Sequence, residues 1–349
     1  EPRVRLAWPI EPLTHSLPVP ALPASGYRVL AVDGSQIEPD PHEGLGIYLI
    51  NVGSVLFDYG DGSPRALLAS EPDVRTVEGA PAVEGELDAA ARATLPTSRR
   101  TEIERMIAEC ERLTAAIEAH GRSSETVALL DGPLIAYWVI RLEPPAMQER
   151  AVQAIVRLHE VARDAGVALA GYISATRSAD VVNLLRFAAC TQVVAGSDIC
   201  PACRLALTNP ASEGGCVPSI AGVLDRHLFE RLRPGERSPR FRVLTRLGTV
   251  AGDSLLSAVD LFYLRTDDDV ARVEVPTGLA DLDRVHAVLV DQAVLGRGYP
   301  LVLAEAHEQA VIRGADRQLF FDLVRRRSVQ DGRPTELSPK ARSKRQPLG

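Results

Sequence analysis

The stretch Tyr27–Asp33 (YRVLAVD), followed by Gly34 and Ser35, decides the fold of this chain. A short apolar run that ends in Asp-Gly-Ser predicts a buried β-strand with an aspartate at its carboxyl end. The stretch Glu125–Leu130 (ETVALL) repeats the pattern and is followed by Asp131-Gly132. Carboxylates at the ends of neighbouring strands form a hard-oxygen site suited to Mg²⁺ or Mn²⁺. The alternative is that each aspartate only caps a turn.

The segments between these two strands predict further strands and one long helix. Residues 46–58 (GIYLINVGSVLFD) are rich in β-branched and aromatic residues and predict two strands joined at Val52–Ser54. Residues 58–96 predict a solvated connection. Thr97 or Ser98 could cap a helix that runs to about Ala119. Its apolar positions recur at helical spacing: Ile103, Met106, Ile107, Cys110, Leu113 and Ile117.

The rest of the chain predicts alternating helices and strands. Helices are predicted over 147–165, 176–186, 224–232, 282–295 and 301–313. Strands are predicted over 167–173, 241–247, 259–265 and 271–275. We expect an extended arm over residues 1–26, one domain over 27–325, and a disordered tail over 326–349. The last 25 residues carry eight Lys or Arg and two acidic residues.

Composition excludes several classes of protein. The chain has 349 residues, 46% of them apolar, and no apolar run approaches the length of a membrane span. Aromatic residues make up only 5%, which argues against a base-stacking nucleic-acid binder. The net charge of −7 excludes a generally basic surface for nucleic acid but leaves a local basic groove open. The sequence contains no G-x-x-x-x-G-K-[ST] motif, so the chain carries no nucleotide motor of that kind. The first residue is Glu rather than Met, so the sequence does not decide whether a targeting peptide precedes it.

Four of the five cysteines cluster within a predicted loop insertion at about residues 187–220. Cys190, Cys200, Cys203 and Cys216 have the spacing C-x9-C-x2-C-x12-C. The C-x2-C step suits a tetrahedral structural Zn²⁺, and four thiolates would close its coordination shell. An iron–sulfur cluster and reduced thiols without metal remain open alternatives. Cys110 lies on the apolar helix stripe and is expected in the core.

The order strand-Asp, strand, strand, helix-Glu, strand-Asp resembles the ribonuclease H-like fold, an α/β fold with a mixed sheet flanked by helices. Five segments, in this order, are similar to the NurA nuclease family: 29–36 (VLAVDGSQ), 100–107 (RTEIERMI), 129–134 (LLDGPL), 171–178 (GYISATRS) and 298–312 (GYPLVLAEAHEQAVI). They span most of residues 28–325.

The resemblance implies a Mn²⁺-dependent DNA nuclease with 5′-to-3′ exonuclease and single-strand endonuclease activity. It implies two Mn²⁺ or Mg²⁺ ions, which in such sites lie about 4 Å apart. It also implies a homodimer that acts with a hexameric HerA-type translocase in DNA end resection. We expect a cytoplasmic protein. The sequence leaves open whether the pathway is repair or defence.

The resemblance assigns metal ligation to three acidic residues. Asp33 matches the aspartate of the first motif, and Asp131 matches that of the second, where Pro133 replaces the usual serine. Glu104 matches the glutamate of the helical R-x-x-x-E motif that starts at Arg100. Its neighbours Glu102, Glu109 and Glu111 are rivals, and Glu104 could instead be an ordinary charge on a solvated helix face.

The resemblance also assigns possible roles to four further residues. His307 matches the histidine of the late helix and could bind a metal or move a proton. Tyr299 matches the tyrosine of the preceding Tyr-Pro turn and could orient a phosphate or a water. Arg177 and Ser178 could contact a DNA phosphate. The alternatives are that His307 is hydrogen-bonded at the helix surface, that Tyr299 only packs over Pro300, and that Arg177 is an exposed arginine without a function.

Two other functions compete with the metal-dependent nuclease. One is a degenerate ribonuclease H-like module that only docks onto a HerA-type ring. The other is a phosphatase or phosphotransferase that uses the Asp-Gly-Ser turn, although the sequence has no Gly-rich phosphate loop. A nuclease fed by a translocating ring needs little basic surface of its own, which agrees with a pI of about 5.6.

Overall fold

In the computed structural model, the stretch around Asp33 lies in a mixed β-sheet, on the third strand from one edge. The structure describes residues 5–13, 16–39, 47–60, 65–76, 97–121, 125–136, 138–139, 142, 145–188, 222–248, 252 and 256–330. Within these residues, nine strands form one sheet in the order β1-β7-β8-β9-β6-β5-β2-β3-β4. The pairs β2–β5 and β5–β6 are parallel and the other neighbours are antiparallel.

The strands are β1 (Ala7–Pro9), β2 (Arg28–Ile37), β3 (Ile47–Asp58), β4 (Arg65–Thr76), β5 (Thr126–Asp131), β6 (Ala168–Ile173), β7 (Phe241–Leu244), β8 (Ala258–Arg265) and β9 (Val270–Pro276). The helices are α1 (Thr97–His120), α2 (Pro145–Asp164), α3 (Asp180–Ala188), α4 (Asp225–Leu228), α5 (Leu282–Leu295), α6 (Leu301–Ala310) and α7 (Gly314–Gln330).

Helices cover both faces of the sheet. Successive side chains of a strand point to opposite faces. Leu30 and Val32 of β2 therefore pack in one apolar cluster with α1 and α2. Val29 and Ala31 pack in a second cluster with α5 and α6. Burial of each such side chain stabilises the fold by roughly 1.5–3 kcal/mol. The predicted mixed α/β sheet flanked by helices is confirmed.

The predicted end of the first strand at Asp33 is wrong. Strand β2 continues to Ile37, and it stays paired with β3 from Arg28↔Asp58 to Ile37↔Leu49. The Asp-Gly-Ser sequence therefore does not turn the chain, because the long partner strand offers hydrogen bonds along the whole segment. Asp33 consequently lies within a strand rather than at its end.

The predicted pair of strands over 46–58 is wrong as well, since β3 is one continuous strand through Val52–Ser54. Gly53 does not form a turn; it allows a close contact between β3 and helix α6. A Cβ atom at this position would collide with the carbonyl oxygen of Ala306 and lie 2.6 Å from the amide nitrogen of Ala310. Only glycine lets helix α6 lie this close to β3.

The predicted solvated connection over 58–96 contains an edge strand. Strand β4 pairs with β3 along its whole length, from Ile47↔Thr76 to Asp58↔Arg65. Most of its side chains are exposed, which explains why its hydrophobic pattern gives no strand signal. The predicted order requires a third strand before the helix, and the structure has one, but it is β4 and not the second half of residues 46–58.

Most other elements lie where the sequence predicts them. Helix α1 buries the predicted apolar stripe, with Ile103, Leu113 and Ile117 fully buried and Met106 partly so. Cys110 is buried and free. Helix α3 begins at Asp180 rather than Thr176, and α4 is limited to four residues. Helix α6 ends at Ala310, and α7, which the sequence does not predict, begins at Gly314.

Two predicted segments lie wholly or partly outside the described residues. The four clustered cysteines, Cys190, Cys200, Cys203 and Cys216, are outside them. Helix α7 reaches Gln330, five residues into the segment for which a disordered tail is predicted, and residues 331–349 are outside. Among the described residues, no helix is long and apolar enough to cross a membrane.

The amino-terminal arm is held by an ionic contact as well as by the pairing of β1 with β7. Glu11 accepts hydrogen bonds from the Arg237 guanidinium at 2.8 Å and from the backbone amide of Arg240 at 2.9 Å. Partial burial by itself raises the pKa of Glu11, but these donors outweigh it and hold the pKa below its usual value. Arg237 is itself 4% exposed.

The Glu11→Gln variant is expected to be less stable by about 1–2 kcal/mol at pH 7. Because the folded pKa of Glu11 is lowered, its contribution is present above the unfolded pKa and is lost as pH falls through the folded value. Urea unfolding of both proteins between pH 7 and pH 3 tests this. A difference in unfolding free energy that stays constant over this range would contradict the ionic role of Glu11.

Candidate metal centre

Strand register places two aspartates side by side. Strands β2 and β5 are parallel and paired from Arg28↔Thr126 to Val32↔Leu130. Asp33 and Asp131 are the next residues on each strand. Both continue the set of side chains that faces α5 and α6, because Ala31 and Leu129 belong to that apolar cluster. The two carboxylates that the sequence predicts to be neighbours therefore share one face of the sheet.

Helix α6 brings His307 to Asp33. The Nδ1 atom of His307 lies 2.7 Å from Oδ2 of Asp33, and the backbone amide of Gly34 donates to Oδ1 at 2.8 Å. Only 12% of the Asp33 side chain is exposed, whereas 61% of the His307 side chain is. The carboxylate is thus fixed on both oxygens, and the imidazole lies at its solvent side.

Helix α6 is held at both ends by side chains from other elements. At its start, the buried Gln292 of α5 accepts a hydrogen bond from the Val302 amide at 3.1 Å. At its end, the Asn51 amide donates to the carbonyl of Ala310 at 2.8 Å, and the Ser35 hydroxyl donates to the same carbonyl. These groups satisfy backbone donors and acceptors that a helix end leaves free.

Tyr299 lies in the turn before α6 and hydrogen-bonds to Asp131. Burial, and then the charge of Asp131, raise the pKa of the Tyr299 phenol, so it stays protonated and donates. Tyr172 packs edge-on against the Tyr299 ring at a centroid distance of 5.5 Å. Asp131 remains open to solvent, yet the protein atoms around it, together with Asp33, raise the pKa of its carboxyl above the usual value.

Helix α1 contributes Glu109 to this group. Burial, together with the charges of Asp33 and Asp131, raises the pKa of Glu109 to about 7, although Arg105 opposes the shift. The Arg105 guanidinium donates to Glu109 and, at 3.2 Å, to the carbonyl of Gly34. A Cβ atom at Gly34 would lie 2.5 Å from Oε1 of Glu109, so the missing side chain provides the space for this carboxylate.

Glu104 lies in a different environment on the same helix. It is 3% exposed, and its carboxylate accepts from Arg150 at 2.7 and 3.0 Å and from Arg75 at 2.8 Å. These contacts join α1 to α2 and β4. The structure therefore does not bring Glu104 to the two aspartates, and the rival Glu109 is the helix glutamate that faces them.

A signal for Glu109 is present in the sequence. The spacing R-x-x-x-E occurs twice in α1, at Arg100–Glu104 and again at Arg105–Glu109. A shift of five residues rotates a position by about 140° around a helix of 3.6 residues per turn. The two glutamates therefore face different neighbours, and only the packing of the helix selects between them.

The two predicted phosphate contacts differ in their surroundings. Arg177 is exposed, beyond the carboxyl end of β6 and on the same sheet edge as Asp131. Ser178 is partly buried, and its hydroxyl accepts a hydrogen bond from Arg272 at 2.7 Å. The structure thus leaves Arg177 accessible to a ligand but engages Ser178 in the interior.

The donor set suits a hard divalent cation. Burial, and after it the charge of nearby carboxylates, raises the pKa values of Glu109 and Asp131, and a bound cation would offset the repulsion between these charges. As the side chains stand, no group of three or more His, Cys, Asp or Glu among the described residues has metal-ligand spacing. Each acidic residue is bonded instead to its own partner: Asp33 to His307, Glu109 to Arg105, and Asp131 to Tyr299.

Comparison with known proteins shows the family of the chain. The family model described as the NurA domain matches residues 27–312. The chain belongs to the NurA family. Its fold is similar to the crystal structure of the NurA nuclease from Sulfolobus solfataricus, with a TM-score of 0.51, 14% sequence identity, and coverage of 87% of this chain and 85% of that one.

Two further NurA crystal structures are less similar. One, described as bound to dAMP and manganese, gives a TM-score of 0.40 with 13% identity over 86% of this chain and 88% of that one. Another gives 0.44 with 11% identity over 90% and 91%. No curated protein sequence matches the chain. The likeness to solved NurA structures is therefore one of fold.

Proposed function

We propose that this NurA family member is a divalent-metal-dependent DNA nuclease that hydrolyses phosphodiester bonds. The observation that carries the proposal is the convergence of carboxylates from β2, β5 and α1: burial, and after it the charges of Asp33 and Asp131, raise the pKa of Glu109 to about 7. Family membership and the fold likeness to a NurA nuclease support it. Ligands would be Asp33, Asp131, Glu109 and His307, with Glu109 in place of Glu104.

Mn²⁺ or Mg²⁺, as two ions, would activate water and stabilise the leaving oxygen when bound. The protein residues around the ligands have separate tasks. His307, at the solvent side of Asp33, would either bind a metal or, instead of that, exchange a proton with water or with a leaving oxygen. Tyr299 donates to Asp131 and orients its carboxylate. Arg177 would hold a DNA phosphate without reading sequence.

The placement of the acidic residues supports the ribonuclease H-like assignment. In the unit β2–β6, Asp33 lies on the first strand, Glu109 on the first helix, and Asp131 at the end of the fourth strand. His307 comes from a late helix. This order is the one that the resemblance implies, although the third strand is β4 and the helix glutamate is Glu109.

The finer activity follows from the family resemblance. We propose 5′-to-3′ exonuclease and single-strand endonuclease activity, in DNA end processing by a cytoplasmic homodimer with a HerA-type ring ATPase. The net charge of −7 and the lack of a G-x-x-x-x-G-K-[ST] motif fit a nuclease that receives DNA from a separate motor protein. From the spacing of the four clustered cysteines alone, we also propose a structural Zn²⁺.

Cleavage of end-labelled single- and double-stranded DNA with Mn²⁺, Mg²⁺ or EDTA tests the function. The wild type is expected to cleave only with metal, and Asp33→Ala to fall to background. Asp164→Ala, which removes an exposed carboxylate at the end of α2, is the control and is expected to cleave like the wild type.

The docking-module alternative predicts a different outcome. A wild type that stays inactive even with a HerA-type ATPase present would contradict the nuclease and favour the module. Cleavage that survives Asp33→Ala would place the site elsewhere or indicate a contaminating nuclease.

A further inference from the structure

The loop that follows Asp131 packs onto β6 at a glycine. The Gly132 amide donates to the Tyr172 carbonyl at 2.9 Å, and Gly132 has φ +128°. A Cβ atom at Gly171 would lie 2.5 Å from the Gly132 carbonyl oxygen and 2.9 Å from the Leu134 nitrogen. Gly171 is therefore required for the loop to lie against the strand.

The same glycine brings the loop within reach of a side chain from the next strand. Gly171 and Glu274 are directly paired residues of the antiparallel strands β6 and β9. Side chains of such a pair stand next to each other on one face of the sheet. Because Gly171 has none, the loop lies close enough to the strand for Glu274 to reach it, and Oε2 of Glu274 accepts a hydrogen bond from the buried Leu134 amide at 3.1 Å.

Glu274 is itself fixed in this position. Its exposed fraction is 1%. Its other oxygen, Oε1, lies 2.9 Å from Nε and 2.8 Å from Nη2 of Arg272. Arg272 is held in turn by Asp180 at 2.8 Å and by the Ser178 hydroxyl at 2.7 Å. A continuous buried chain of charge-assisted hydrogen bonds thus ends on the backbone of the loop next to Asp131.

We propose that Glu274 is a positioning residue for the nuclease site. Its carboxylate, held by Arg272, fixes the loop Gly132–Leu134 and thereby the direction in which Asp131 presents its carboxylate to the metal. This inference rests on the proposed function. It also gives a role to the segment 171–178, in which Gly171 lets the loop lie against the strand and Ser178 anchors Arg272.

Two variants disturb this contact from opposite sides. Glu274→Gln has one acceptor oxygen where Glu274 has two, so either Arg272 or the Leu134 amide loses its acceptor. Gly171→Ala leaves Glu274 and Arg272 unchanged and pushes the loop away from the strand. The control is Asp260→Asn on β8, which weakens the contact of another buried carboxylate with an arginine, the partly exposed Arg242 of β7, at 2.6 and 3.0 Å.

The expected result is a loss of Mn²⁺ affinity that the control does not share. Calorimetric titration with Mn²⁺ alone should show a Kd raised by about 10- to 100-fold in Glu274→Gln and in Gly171→Ala. Hydrogen exchange at the Leu134 amide of the metal-free protein should be faster in both. With DNA, kcat should fall while KM stays constant. Asp260→Asn should melt at a lower temperature with unchanged Kd and kcat.

Two outcomes would overturn the inference. One is a wild-type Mn²⁺ affinity and kcat in folded Glu274→Gln and Gly171→Ala. The other is a loss in Asp260→Asn equal to theirs, which would indicate general destabilisation. A wild type that binds Mn²⁺ but does not cleave DNA would count against the proposed function, and the comparison of Mn²⁺ affinities would still decide the role of Glu274.

Discussion

Glu109→Gln is expected to lower the rate of metal-dependent DNA cleavage by about 10²–10³-fold, the loss typical of one preorganised electrostatic group in an active site. Burial, and after it the charges of Asp33 and Asp131, raise the pKa of Glu109, which marks this helix carboxylate as part of their cluster. Glutamine keeps its shape but removes the charge that a divalent cation requires. Single-turnover cleavage of labelled DNA with Mn²⁺ measures the loss, and the melting temperature shows that the fold is kept.

Glu104→Gln is the matched control for this prediction. It makes the same chemical change on the same helix, five residues away, in a carboxylate that is held by Arg75 and Arg150. It is expected to reduce stability and to leave the cleavage rate of the folded protein within a few-fold of the wild type. The reverse result, in which Glu104→Gln is inactive and Glu109→Gln is active, would refute the assignment to Glu109.

Arg272→Met is expected to destabilise the protein by about 3–5 kcal/mol, because it leaves buried carboxylates without their cation. Arg272 is 2% exposed and lies between Asp180 and Glu274, which are 3% and 1% exposed. Methionine fills much of the volume but supplies no donor. Denaturant unfolding, followed by circular dichroism, measures the change in the free energy of unfolding.

A surface pair provides the comparison. Arg157 and Glu118 lie 2.6 Å apart with side chains 60% and 47% exposed. Arg157→Met is expected to cost no more than about 1 kcal/mol, because exposed ion pairs contribute little. Equal losses in the two variants would show that burial of Arg272 has no special energetic weight.

The sequence predicts the elements whose patterns are strong. The apolar stripe of α1 follows the helical period over six positions, and the buried strands β2 and β5 are short apolar runs that each lead to an aspartate. The pattern fails where tertiary contacts override local signals. Asp33-Gly34 resembles a turn, yet pairing with β3 keeps it extended. Strand β4 is exposed on most positions and gives no period-two pattern.

The sequence predicts the two strand aspartates of the candidate site and His307 of α6, but not the glutamate of α1. Asp33 and Asp131 each follow a buried apolar run in the sequence, and the parallel pairing of β2 with β5 places them side by side. Glu104 and Glu109 have the same motif spacing, and the choice between them depends on which face of α1 meets Gly34. Gly171 and Glu274 are 103 residues apart, and only the pairing of β6 with β9 brings them together.

The anchoring of α6 at both ends has a kinetic consequence. Gln292 holds its first turn and Asn51 its last carbonyl, while Gly53 lets it lie directly on β3. The His307 ring is exposed, but the backbone that carries it is not free to shift. Rearrangement on ligand arrival is thus confined to side-chain rotation, which takes picoseconds to nanoseconds, whereas movement of a helix takes microseconds to milliseconds.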